Sequence, residues 1–455
     1  MTRLLENLKL SLAYNAWRDS FIRKLISTIW LFIEERLYTV LDALARKSCI
    51  FSLLKKLAKR ISLVIALGIV LICIIPDRFW SNKFIYLMAF GLMLLNIYNK
   101  DQKRRVAFED FFVLFVVSIL LSAGLSVFPR LSLKYLVNYL AVFMIFAIFV
   151  NNIKRSDLAV LLNGVTLAVL VVSLFGLVQK YIIGIAVNLS QTDISISQDL
   201  SGRVYSTMGN PNVLGELYIL LIPLIVANLL STKKVFVKAI SVVTILISVL
   251  VLLLTGSRSA WASIALSAVV FLLLYRPRVV PIFIMLGLIS FFFMPQNIQT
   301  RVVSMFNKSD TSLNYRKYIR ESASDMKHRY EFVGGVGLGN EVFQSVFEPY
   351  KVKELTKVSH SHSLYMQLTI ELGIFAVFFL LAYLAKLILH SLIIAKASTD
   401  ETQRLIIYAC TSAILGFMLM STADYTWFYL RILVLFFITA GVLKVAASER
   451  EEVLQ

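Results

Sequence analysis

Long apolar runs follow one another along the chain from Ile61 onward, separated by short polar links. A helix that crosses a bilayer needs about 20 predominantly apolar residues. That length predicts about 12 spans: 61–76, 83–98, 109–128, 132–150, 158–183, 212–230, 237–255, 259–275, 279–295, 363–389, 404–422 and 428–446. These runs lack the polar face that a helix at the surface of a soluble bundle carries. The predicted fold class is all-α: a polytopic membrane protein with about 12 transmembrane helices and a large extracytoplasmic loop between helices 9 and 10.

Residues 1–58 follow a different pattern. Ile33, Leu37, Val40, Leu41 and Leu44 recur at helical spacing, opposite Glu34, Glu35, Asp42 and Arg46, and "LLKKLAKR" adds a basic cluster. This predicts amphipathic helices on the inner membrane surface, with a partner-binding helix as the rival reading. The expected organisation is 1–58 cytoplasmic, 59–295 carrying helices 1–9, 296–361 an extracytoplasmic loop, 362–447 carrying helices 10–12, and 448–455 a cytoplasmic tail. The opening residues show no signal-peptide core, so insertion is expected to rely on the first span.

Composition narrows the class. Of 455 residues, 58% are hydrophobic and 16% charged, against roughly a quarter charged in soluble domains. The net charge of +19 admits nucleic acid as a partner. Basic loops facing anionic lipid explain it more simply, so no nucleic acid is expected. Cys49, Cys73 and Cys410 are too far apart for a zinc or disulfide framework.

Charge also gives an orientation. "KDQKRR", Lys154–Arg155, Lys233–Lys234, "RPR" at 276–278, Lys396 and Arg404 fall on one side, together with the basic N-terminal region and Arg450. The positive-inside rule makes that side cytoplasmic, with both termini inside. Segments 184–211 and 296–362 then lie outside, with the links around Arg130, Arg258 and Asp424.

Several ionisable groups gather at that outer side. Arg258 in "LLTGSRSAWAS" is either a snorkelling interfacial arginine or a phosphate clamp. Arg316, with Lys317 and Arg320 close by, reads alone as a solvated loop charge. "GGVGLGN" at 334–340 has no βαβ context; it reads as a turn of close backbone approach, with phosphate binding through amides as the weaker alternative. His360 and His362 precede a long apolar run. An interfacial structural histidine is the bland reading and a general base the sharp one; the chain offers few further ligands nearby, so no metal is expected. Glu371 and Glu216 within predicted spans need a partner or polar cavity. Lys134, Asp424 and Arg431 lie near the same face. Together these groups predict one cationic cavity opening outward.

"TGSRSAW", "NYR", "GVGLGN" and "HSLYMQLTIELGI" occur here in the order found in the O-antigen ligase and polymerase superfamily. The chain resembles that family over about Asn210 to Gly373, with Ser363 standing where the family usually has Asn. The resemblance implies a glycosyltransferase of the bacterial cytoplasmic membrane, multi-pass, with its active site facing outward. The donor would be a glycan on undecaprenyl pyrophosphate and the acceptor a hydroxyl on a glycan, lipid or protein. No cofactor or metal is implied. Motif matching would make His362 the base and put Arg258 and Arg316 on the donor pyrophosphate. His360, Glu216, Asp424, Lys134 and Arg320 would support them, Asp424 by topological position alone. Membrane lipid, a chain-length regulator and other envelope-assembly proteins are the further partners considered. A transporter or flippase of lipid-linked glycan would also need a cationic cavity; the large one-sided loop ending in histidines favours chemistry.

Overall fold

The computed structural model of the chain describes residues 48–99, 109–185, 202–304, 311–330, 334–353, 355 and 358–448, with 36, 39, 40 and 43. The described residues form helices and connecting segments with no strand among them. In chain order the helices are α1 Cys49–Ala58, α2 Ile61–Ile74, α3 Lys83–Tyr98, α4 Asp110–Gly124, α5 Pro129–Asn152, α6 Leu158–Val178, α7 Pro211–Ser231, α8 Val235–Leu254 and α9 Arg258–Tyr275. They continue with α10 Val280–Phe292, α11 Gln296–Val303, α12 Thr311–Tyr330, α13 Asn340–Phe347, α14 Leu364–Leu372, α15 Ile374–Ala397, α16 Glu401–Met420 and α17 Leu430–Ala446. Of the predicted amphipathic region 1–58, the end is described as α1, and Arg36, Thr39, Val40 and Ala43 singly; Ile33, Glu34, Glu35, Leu37, Leu41, Asp42, Leu44 and Arg46 lie outside the described residues.

Among the described residues seven helices are long and apolar enough to cross a membrane, or eight if the pair bent by 95° around Lys59–Arg60 counts as one span. Helices α3 and α4 are apolar but shorter. The run expected as a single span over 363–389 is two helices. Gly373, at φ +91, stops α14 and starts α15. The apolar pattern continues through the break, so hydrophobicity alone did not reveal it.

Helices α7 and α16 form the centre, with 83% and 72% of their apolar windows buried. Helices α8 and α9 expose more of theirs, at 28% buried each, as lipid-facing helices do. Small residues let backbones approach closely, which is how helices associate where lipid is as apolar as leucine. A Cβ at Gly215 of α7 would stand 2.5 Å from the Ala260 Cβ of α9, and one at Gly416 of α16 would stand 2.8 Å from the Ser263 carbonyl of α9. These contacts bring the N-termini of α7 and α9 together. Aromatic rings of Phe112, Phe143 and Phe437 meet edge-on at 5.2 Å in the α4–α5–α17 core.

The two ends of the bundle differ. At one end Arg155 pairs with Asp400 at 2.8 Å, and Lys444 with Glu109 at 3.0 Å. There Tyr275 also donates to Glu401 at 3.3 Å. Helix α16 runs from this end, at Glu401, to the turn 421–429 at the other. Helix α9 runs the opposite way, so its first residue, Arg258, shares the end that carries Asp424.

Candidate active site

The turn before α14 is built from side chains that hold backbone. Ser363 caps the helix by accepting from the Met366 N–H. Serine and asparagine are comparable N-caps, so this position tolerates the exchange seen against the family pattern. The Leu364 N–H reaches the carbonyls of Ser421 (2.9 Å) and Asp424 (3.1 Å), fastening the histidine turn to the turn after α16. Gln367, fully buried, accepts from the Ser361 N–H at 2.8 Å and donates to Glu371 Oε1 at 2.8 Å.

Within this frame His362 adopts φ +51, in the left-handed region. His360 Nδ1 accepts the His362 backbone N–H at 3.2 Å. The two rings lie 4.2 Å apart, and His360 also packs on Phe428 at 4.8 Å and Tyr425 at 5.8 Å. Burial pushes the His360 pKa down to about 3; His362 and Arg316 add to this and Asp424 opposes it. His360 is therefore a neutral acceptor.

His362 Nδ1, shielded from solvent, lies 3.3 Å from Asp424 Oδ1. The contact is long for a hydrogen bond, as catalytic contacts in unliganded sites often are. Burial raises the Asp424 pKa, but His362, His360 and Arg316 outweigh it and hold the carboxylate below its ordinary range. Tyr315 of α12 meets the His362 ring edge-on at 5.6 Å, which brings the "NYR" motif, and Arg316 with it, to the histidines.

Arg258 opens α9, and its Nη1 donates to Ser304 Oγ at 2.9 Å. Two further arginines flank the loop before it. Arg203 Nε donates to the Thr255 carbonyl at 2.6 Å, and Arg301 Nη1 to the Gly256 carbonyl at 3.4 Å. Burial, then Arg301, Arg258 and Arg316, push the Arg203 pKa down to about 10, with Asp424 opposing. Sequence reasoning missed Arg203 and Arg301, because a loop arginine outside a recognised motif reads as solvated. The "GRVYSTMGNPN" run, tied into the α7 N-terminus, carried the one available signal.

Asn212 joins the two halves. Asn210 caps α7 through the Asn212 N–H at 2.8 Å, with Pro211 at the first helical position. The Asn212 Nδ2 donates to Asp424 Oδ2 at 2.9 Å, and its Oδ1 accepts from Arg203 Nη2 (3.1 Å) and Ser257 Oγ (2.9 Å).

The other predicted residues make none of these contacts, although Glu216 lies within electrostatic range of Asp424. Glu216, one turn along α7, is buried with Oε2 unpartnered among the described residues. Lys134 is exposed and pairs with Glu341 at 2.7 Å. Arg320 is exposed, its Nε on the Arg316 carbonyl at 3.3 Å. Arg431 is fully buried, paired with Asp77 at 2.6 Å and 4.7 Å over the Trp80 ring. That clasp ties α17 to the α2–α3 link.

The glycine run 334–339 is a seam. The Val336 N–H goes to the Ile370 carbonyl (2.9 Å), Gly337 to the Glu371 carbonyl (3.2 Å) and Leu338 to Ser132 Oγ (3.0 Å). Three consecutive amides are thus occupied by protein, which removes them as phosphate donors. At Gly335 and Gly337, both with positive φ, an added Cβ would strike Glu371 backbone and Ser126.

Donor atoms of His360, His362 and Asp424 lie within 4.8 Å of one another, a spacing that could hold a metal ion. Four arginines, Arg203, Arg258, Arg301 and Arg316, in electrostatic range of Asp424 or of one another bring positive charge to that cluster, which suits an anion.

No curated protein matches the chain. Residues 243–381 match the model of the O-antigen ligase family. That stretch contains Arg258, Arg316 and His362, and over it the chain is similar to the O-antigen ligase family.

Proposed function

We propose that this protein transfers a glycan from undecaprenyl pyrophosphate to an acceptor hydroxyl on the outer face of the bacterial cytoplasmic membrane. Similarity to the O-antigen ligase family over residues 243–381 supports membrane glycan handling of the ligase or polymerase type; the donor, the residues and the steps are our reading. The observation that carries it is the His362–Asp424 contact at 3.3 Å at the edge of an arginine cluster.

In this reading Asp424 holds the proton on His362 Nδ1, leaving Nε2 to accept the acceptor's proton. The freed oxygen attacks the anomeric carbon. The bond from that carbon to the pyrophosphate oxygen breaks, and the electron pair leaves with the undecaprenyl pyrophosphate. Arg258 and Arg316 stabilise the charge that develops there, as preorganised cations do in a dry site. In-line attack inverts the anomeric centre. The arginines take the part a divalent ion plays in other phosphate-leaving reactions, so the reaction needs no metal. In this reading the opposite end of the bundle faces the cytoplasm, which its basic helix links support, with both termini expected on that side.

The test is reconstitution in liposomes with polyprenyl-pyrophosphate glycan and acceptor, in EDTA. Transferred glycan is expected, and His362→Gln should abolish it while donor still binds. Activity that disappears with EDTA, or survives in His362→Gln, would sink the mechanism. Movement of the donor across the bilayer without transfer would favour a flippase. A product ladder marks a polymerase and a single transfer a ligase.

A further inference from the structure

The side-chain amide of Asn212 faces two ways, and only one orientation satisfies its neighbours. Its Oδ1 accepts from the Arg203 guanidinium and the Ser257 hydroxyl, and its Nδ2 donates to Asp424 Oδ2. A flipped amide would set Oδ1 against a carboxylate and NH2 against a guanidinium. The other oxygen of Asp424, Oδ1, accepts from the Tyr425 N–H at 2.9 Å and faces His362 Nδ1 at 3.3 Å. The carboxylate is therefore gripped on both sides and cannot rotate without breaking one contact. Ser257 immediately precedes Arg258, and Arg203 also holds the Thr255 carbonyl.

We infer that Asn212 is a positioning residue that locks the Asp424 carboxylate against His362 and ties the base to the arginine loop. The inference rests on the proposed glycosyl transfer and deepens it. Asn212 touches no reacting atom; it acts through Asp424. Its effect is to keep the His362 imidazole in one tautomer, Nδ1–H toward Asp424, while the Thr255–Arg258 loop stays fixed relative to that ring. The charged and titratable groups facing the ring are Asp424 from the turn after α16, His360 from its own turn, and Tyr315 and Arg316 from α12.

The test uses the full-length protein in two arms. In the first, 15N-histidine spectra are recorded in detergent, the His362 signals being assigned by their loss in His362→Gln. Wild type is expected to show a protonated Nδ1 and a bare Nε2, and Asn212→Ala a mixture of both tautomers. In the second, transfer rates are measured for Asn212→Ala, Asp424→Asn and the double variant. General-base catalysis is worth about 100- to 10,000-fold, and we expect Asn212→Ala to lose about tenfold or more in kcat. In the Asp424→Asn background the same change should cost nothing further. Full additivity, or an unchanged tautomer in Asn212→Ala, would overturn the inference. If Asn212→Ala does not fold, Asn212→Ser replaces it in both arms. If wild type transfers no glycan, the proposed function falls, and the spectra alone decide the lock.

Discussion

His360 Nδ1 accepts the backbone N–H of His362 at 3.2 Å, so one histidine sets the backbone of the other. A non-glycine residue held in the left-handed region costs roughly 1–3 kcal/mol and persists where its surroundings over-determine it. His360 is the part that does so here. Replacing it by Phe keeps the packing on Phe428 and Tyr425 but removes the acceptor. We expect His360→Phe to lose about tenfold in kcat, near 1.4 kcal/mol, and His360→Asn to recover part of it. Steady-state transfer rates check this; equal losses in both variants would refute it.

The same residue makes stability depend on pH. His360 is held at about 3, below its ordinary 6.5. Between those values the unfolded chain binds a proton that the folded chain refuses, so stability falls as pH drops through that window. Asp424 acts lower: its carboxylate is held below 3.8, so its contribution is present above 3.8 and is lost as pH falls further. Thermal unfolding midpoints from pH 7 to 4 should therefore decline less in His360→Asn than in wild type. Parallel curves would contradict this.

Arg258→Lys and Arg316→Lys keep a charge and lose the planar fork. Each is expected to raise the donor concentration for half-maximal rate about tenfold, a change of about 1.4 kcal/mol, with acceptor dependence unchanged. Arg203→Lys should do the same more weakly, because Arg203 also holds the Thr255 carbonyl. Kinetics at varied donor decide it, and an effect confined to the acceptor would count against the clamp.

Gln367 serves two buried partners, the Ser361 N–H and Glu371 Oε1. Gln367→Leu leaves both without it, and each orphaned buried group costs about 1–3 kcal/mol. We expect a lower unfolding midpoint and a lower kcat with donor binding kept. Glu371→Gln can still accept from Gln367 and should stay near wild type. A Gln367→Leu protein as stable as wild type would show that the pair is dispensable.

Each of the twelve apolar runs contains a helix, because a chain in lipid must satisfy its own backbone. The break at Gly373 was not legible, since a glycine inside an apolar run is common and its positive φ leaves no trace in hydropathy. His360, His362 and Arg258 stood out because ionisable groups are expensive near hydrocarbon; Arg316 was singled out by the family resemblance, since alone it reads as a solvated loop charge. Arg203, Arg301 and Asn212 were not, since their significance lies in contacts between segments distant in sequence. Lys134 and Arg320 were grouped with the site by leaflet, and leaflet does not specify which helix faces meet.

The glycine seam has a mechanical consequence. Because Val336 and Gly337 are bonded to the last carbonyls of α14, that outer segment and the helix behind the base move as one body. A change of acceptor preference can therefore be built into segments on either side of 334–339. A change within it would be transmitted through Glu371 and Gln367 to Ser361, the residue beside His362.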